Sequence, residues 1–256
     1  MMGPSHAVTG AAGWLALTGP LADLAGVYVG PQVQLVGALT TAGAALISDW
    51  DHPRATIATA LPPLSTVLAR FIRRAAGGHR RGTHSFVGLA AFTAVTWVLT
   101  PLTVTVGSVT FSAGQGVVAA FLAAVAARIL RVAPGPVTGW AVGLAAGALA
   151  GTTAPGATWL TVSVALGVGL HIVGDMLTTR GVALLWPALP DPPVPTPFWL
   201  PGGRFRLPLL GRAGSWREWV VATACTVYVV GAVSAVVRAL LAAADPAAWP
   251  LPGPFA

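Results

Sequence analysis

The segment Gly78-His79-Arg80-Arg81-Gly82-Thr83-His84-Ser85 sets two imidazoles and two guanidiniums between hydrophobic stretches. The chain has only five histidines, and the others also stand in polar groups: His6 after Ser5, His52 within Asp49-Trp50-Asp51-His52-Pro53, and His171 shortly before Asp175. Of the seven acidic residues, Asp49, Asp51 and Asp175 fall inside these groups. Imidazole with carboxylate is a ligand set for zinc, manganese or iron, not a thiolate site. His171 and Asp175 lie four positions apart, which on a helix is one face and about 6 Å along the axis, close enough to reach one ion. A helix-packing pair is the plain alternative for these two, but an ionisable pair within an apolar segment is costly in lipid and marks a functional site by default. The candidate ligands are His6, Asp49, Asp51, His52, His79, His84, His171 and Asp175. A catalytic zinc takes about three protein ligands, so this set suits two divalent ions, zinc favoured over manganese or iron, with a carboxylate bridging. Arg80 could neutralise an anionic substrate oxygen, because a planar guanidinium matches phosphate; its plain alternative is a topological charge.

Composition says what must position these groups. Mean hydropathy is +0.77, 55% of residues are hydrophobic and 8% are charged, against about a quarter charged in soluble proteins. A polytopic membrane protein follows. All fourteen basic residues are arginine, and they are few and separated by hydrophobic spans, so no nucleic-acid partner is implied. The single Cys225 lies in an apolar run and excludes an intrachain disulfide. The N-terminal residues lack the basic leader of a secretory signal, and the first apolar segment is expected to be retained.

In order, the pattern predicts a helix from about His6 to Thr18 with Ser5 as its cap, and a second from Gln32 to Ser48 that ends at the Asp49–His52 group. Pro53 biases His52 away from helical geometry, so these residues occupy a helix end and a bend. Leu64, Val67, Leu68 and Phe71 follow helical spacing beside Arg70, Arg73 and Arg74, the pattern of an interfacial helix or of an ordinary amphipathic connector. Thr83 is placed to cap a spanning helix from His84 through about Val106. Further apolar segments cover about Gly114–Ile129, Val137–Thr152, Thr158–Thr178 and Trp216–Ala244, and Pro201-Gly202-Gly203 reads as a hairpin turn. The expectation is an all-α membrane bundle of about seven apolar helices, one domain over residues 1–256. Alternating the seven puts the clusters Arg54–Arg81, Arg128 with Arg131, and Arg180–Arg217 on one face, the cytoplasmic one by the excess of positive charge there. His6, Asp49–His52, His79–His84 and Asp175 land on that face too.

These motifs resemble the YdjM family of bacterial inner-membrane proteins, described as metal-dependent hydrolases. The family's Asp-x-Asp-His-Pro, His-Arg-x-x-Thr-His-Ser and His-x-x-x-Asp-x-x-Thr-x-x-Gly-x-x-Leu-Leu-x-Pro patterns stand here as Asp49–Pro53, His79–Ser85 and His171–Pro187. His6 occupies the expected N-terminal position, and Gly214-Ser215 with Glu218 resembles the C-terminal motif, although Ala213 stands where a threonine is expected. The resemblance implies a metal site and, through Glu218, a further catalytic candidate. A fainter similarity in ligand order is to zinc-dependent phospholipase C, which extends the chemistry toward phosphoesters. The expected activity is hydrolysis of an ester, lipid-associated or small, by metal-activated water at the inner membrane, with the bilayer and a lipid or small-molecule substrate as partners. The non-enzymatic alternative is a metal-binding transporter or scaffold, which as a transporter would need polar groups continuing across the bilayer.

Overall fold

A computed structural model describes residues 1–153, 156–194 and 196–244. The described chain is mostly helical: α1 (Gly3–Thr18), the short α2 (Pro20–Leu24), α3 (Pro31–Ala44), α4 (Leu64–Ala75), α5 (Phe86–Leu99), α6 (Ala113–Ile129), α7 (Pro136–Gly151), α8 (Trp159–Met176) and α9 (Trp216–Ala244). Two small antiparallel hairpins join them, β1 (Val104–Val106) with β2 (Val109–Phe111) and β3 (Trp199–Leu200) with β4 (Arg204–Phe205). The second hairpin turns at the expected Pro-Gly-Gly.

Several starts and stops follow from proline. Proline sits in the first turn of α1, α3 and α7, where its missing N–H is no loss. Ser5 is therefore not the cap of α1: the helix begins earlier, Met2 is the N-cap, and Ser5 is buried inside. The expected helix through Ser48 stops at Ala44, and the chain tightens into a 3₁₀ turn at Ile47–Asp51 before His52 becomes extended (φ −99°, ψ 118°), as the residue before Pro53 should. Thr83 does not cap α5 either; Ser85 does, its side chain accepting from the Gly88 N–H. That helix ends at Leu99, short of Val106, because Pro101 cannot continue it and the β1–β2 hairpin takes over.

Among the described residues, only α8 and α9 are both long and apolar enough to cross a membrane, while α5, α6 and α7 are apolar but shorter. With 14, 17 and 16 residues they fall below a full crossing, which takes about 20 residues of helix. The two long helices differ in surroundings. The apolar window of α8 is 50% buried by protein, that of α9 only 6%, with Trp219, Val220, Val227 and Val230 facing outward. Such a face needs lipid or a partner to cover it. In α4 Ser65 and Ala69 are buried, while Leu64, Val67 and Phe71 lie exposed beside the arginines, as an interfacial helix requires.

The core forms where α1, α3, α6 and α8 meet around Trp14, Leu122, Val125, Val164 and Val168. The N-terminal end of α1, the 3₁₀ turn after α3, the loop before α5 and the last turn of α8 come together at one end of this core.

Candidate metal centre

His171, buried in α8, uses Nδ1 to bond the Ala45 carbonyl just past α3, at 2.6 Å. A carbonyl only accepts, so Nδ1 carries the proton and Nε2 is left with its lone pair. A second relay fixes His84. Thr83 Oγ1 donates to Asp51 Oδ2 at 2.7 Å, and with its proton committed it accepts from His84 Nδ1 at 2.9 Å. His84 Nε2 is thereby left as an acceptor as well. The two Nε2 atoms face each other at 3.1 Å.

Two carboxylates each approach this pair of nitrogens. Asp49 Oδ1 is 3.6 Å from His84 Nε2 and 3.9 Å from His171 Nε2, and Asp175 Oδ2 stands at the same 3.6 and 3.9 Å. Ligand bonds of about 2.0–2.1 Å in a tetrahedron set neighbouring ligand atoms roughly 3.4 Å apart. Two unprotonated imidazole nitrogens and a carboxylate facing one another repel unless a cation joins them, so the group of Asp49, His84 and His171 fits a divalent ion.

Asp175 also looks the other way. Its Oδ1 lies 3.3 Å from His6 Nε2 and contacts the Met1 amino nitrogen, while the His6 ring stacks on His171 at 3.7 Å with its Nδ1 buried and unpartnered. His6, His171 and Asp175 thus make one ligand group, which shares His171 with the group of Asp49, His84 and His171. A third comprises Asp51, His79 and His84. In it His79 Nδ1 pairs with Asp51 Oδ1 at 2.7 Å, so Asp51 orients both His79 and, through Thr83, His84. Such outer carboxylates fix ring orientation and raise ligand basicity.

Seven of the eight sequence-derived ligands therefore belong to these groups. His52 does not: its ring packs edge-on against His79 and its Nδ1 accepts the Arg54 N–H. Glu218, buried at the start of α9, also lies outside them; its oxygens accept from the Met2 and Gly214 backbone N–H groups at 2.6 and 2.9 Å. That fastens the beginning of α1 to the beginning of α9. Sequence reasoning missed Thr83 as the link between Asp51 and His84, although its place beside His84 in the motif was a signal. Nothing in the sequence marks the Ala45 carbonyl.

Arg80 adopts left-handed backbone geometry (φ 62°), uncommon for a residue with a side chain. Its Nη2 bonds Asp175 Oδ2 at 2.9 Å, while Nε and Nη1 are buried without a partner. Leaving a buried donor unmatched costs about 1–3 kcal/mol, more when charged. A cavity of about 440 Å³ opens against this end of the core, lined by Asp49, His52, Arg54, His79 and Arg80 together with Leu46, Ile57 and Ile129. The ligand groups thus meet a space with both charged and apolar lining.

The family model described as YdjM inner membrane protein matches residues 1–242, and the chain belongs to that family. No curated protein and no solved structure matches it.

Proposed function

We propose that this inner-membrane member of the YdjM family is a metal-dependent hydrolase of esters, with a lipid-associated phosphoester as the preferred class. The observation that carries the reading is the facing pair of imidazole nitrogens, His84 Nε2 and His171 Nε2 at 3.1 Å, with Asp49 Oδ1 and Asp175 Oδ2 each 3.6–3.9 Å from both, beside a cavity that Asp49 lines. Asp49, His84 and His171 would hold one ion, and His6 with Asp175 would help hold a second. Bound divalent ions supply Lewis acidity and bring the pKa of a coordinated water to about 7.

The protein's own groups do the rest. Arg80 keeps one nitrogen on Asp175 and offers the others to an anionic substrate oxygen, for which its planar fork is suited. Asp51 and the Ala45 carbonyl hold the imidazoles in the tautomers that ligation needs. Leu46, Ile57 and Ile129 give an apolar portion of the substrate somewhere to rest. Glu218 serves this reading as a fastening for α1, which carries His6, and not as a proton carrier. The chain is one domain, its shorter apolar helices cross in a locally thinned bilayer, and the centre faces the cytoplasm.

The test uses the full-length protein in neutral detergent. Metal per folded protein is measured by elemental analysis, and hydrolysis of bis-p-nitrophenyl phosphate and of phospholipid vesicles is followed before and after chelation. Asp175→Asn and His171→Ala should each lose bound metal and activity; full occupancy in both would sink the ligation and the hydrolase reading with it. For orientation, a reporter fused after Arg74 should read cytoplasmic and one at the C-terminus periplasmic, and a cytoplasmic C-terminus would remove one span.

A further inference from the structure

A second cavity, of about 240 Å³, lies beside the first and is lined by Arg80, Thr178, Thr179, Arg180, Arg212 and Ala213. No acidic residue lines it, and among the described residues no carboxylate pairs with Arg180 or Arg212. Arg80 is paired with Asp175 through one nitrogen only, while Arg180 and Arg212 line the same cavity without a carboxylate, and a bound anion relieves the repulsion among these guanidiniums.

The arrangement is built into the backbone and is not a meeting of loose side chains. Just after α8, the Thr179 N–H bonds the Gly211 carbonyl at 2.9 Å and the Leu210 N–H bonds the Leu177 carbonyl at 3.0 Å. These bonds hold the Arg180 segment and the Arg212 segment side by side. Arg80 comes from a third segment and lies between the two cavities, with buried Nε and Nη1 unpartnered.

We propose that this pocket binds a phosphate-bearing group next to the metal centre. Bidentate guanidinium recognition suits phosphate better than a monovalent halide, and the hydroxyl-bearing Thr178 and Thr179 complete a polar wall. The volume is below the usual 300–1,000 Å³ of pockets for drug-sized ligands, so it takes a head group and not a whole lipid. A soluble phosphate and the head of an anionic phospholipid share this chemistry. The site does not depend on the neighbouring centre being catalytic.

The experiment titrates full-length protein in neutral detergent by calorimetry, with inorganic phosphate in one arm and mixed micelles of phosphatidic acid or phosphatidylcholine in the other. Each arm is run with bound metal and after chelation. Phosphate-dependent heat should persist in the chelated protein. Arg180→Ala and Arg212→Ala should each weaken it roughly tenfold or more, the loss expected for a charge-assisted bond. Arg238→Ala, near the other end of α9, should change nothing. Both pocket arginines are exposed, and the melting temperature without ligand checks that the variants fold. Arg180→Lys and Arg212→Lys should recover part of the affinity, since charge remains while the fork is lost. Stronger binding of phosphatidic acid micelles than of inorganic phosphate assigns the site to a lipid head; equal binding assigns it to a soluble phosphate. Binding that vanishes with the metal, or is indifferent to Arg180 and Arg212, overturns the proposal and returns these arginines to a topological role. Failure of the hydrolase reading would show separately, as wild-type protein inactive toward every ester while phosphate still binds.

Discussion

Two helix pairs in this protein use the same device to different ends. In the α6–α7 pair, a Cβ on Gly147 would stand 2.5 Å from the Gly116 carbonyl oxygen, and the contact is filled by Ala119, Ala123, Ala146 and Ala150. In the α3–α8 pair, a Cβ on Gly167 would stand 2.7 Å from both the Thr41 carbonyl oxygen and the Ala44 Cβ. Small residues let membrane helices approach in both cases. Between α6 and α7 the approach yields alanine packing along the helices, with hydrogen bonds at one end, where the Ser112 N–H donates to the Gly151 carbonyl at 2.9 Å and Thr153 Oγ1 donates to Gln115 Oε1 at 3.0 Å. Between α3 and α8 it brings Ser163 within hydrogen-bond reach of Thr40 and Thr41, at 2.9 and 2.7 Å, and His171 Nδ1 within 2.6 Å of the Ala45 carbonyl. Gly167, His171 and Asp175 follow at four-residue steps along one face of α8. Close approach at the glycine therefore decides whether the imidazole one turn later meets its carbonyl and turns Nε2 toward the carboxylates.

The largest effect separates these roles directly. Gly147→Val and Gly167→Val should each destabilise the protein by about 1–3 kcal/mol through overpacking. Chemical denaturation in detergent measures that loss, and elemental analysis of the folded fraction should find metal retained in the first and lost in the second. Equal metal content in both would break the link between the α3–α8 approach and the ligand geometry. Next in size is Thr83→Val, which leaves His84 Nδ1 and Asp51 Oδ2 without their connecting hydroxyl. Metal affinity should fall by about 10–100-fold, the usual consequence of losing an outer partner, as read by competition with a chelator of known affinity. An unchanged affinity would mean that His84 needs no such orientation. The smallest effect belongs to Ser163→Ala: about 1 kcal/mol of stability, with metal content unaltered. A loss of metal there would show that the hydroxyl group and the ligand group act as one network.

The hydroxyl group also bears on the transport alternative. Thr40, Thr41 and Ser163 bond to one another in the buried core and continue the polar character a little way from His171. Ser163 links the two threonines, and the Thr40 hydroxyl also donates to the Gly37 carbonyl of its own helix at 3.0 Å.

Much of this was legible from residues alone. Hydropathy and basic clusters located the helices of the core to within a few residues and put His6, Asp49, His84 and Asp175 at one end, because burial in lipid penalises ionisable groups and restricts where they stand. The errors fell where local signals compete. Ser5 and Thr83 both look like caps, yet Pro4 starts α1 earlier, and the hydroxyl of Thr83 is drawn to Asp51 across 32 positions of sequence. The expected continuation of α5 to Val106 overlooked Pro101.

By itself the sequence determined which side chains could ligate and that they stand near helix ends, since hydropathy marks where the apolar helices start and stop. It carries little about rotation around the helix axes or about which of two ring nitrogens points inward. Only the tertiary structure decided that His171 and His84 present Nε2, that Asp51 stands behind His79 and Thr83, that Glu218 fastens Met2 and Gly214, and that Arg180 and Arg212 join Arg80. Those outcomes depend on how closely separate helices and loops approach, which is set by contacts between residues far apart in the chain.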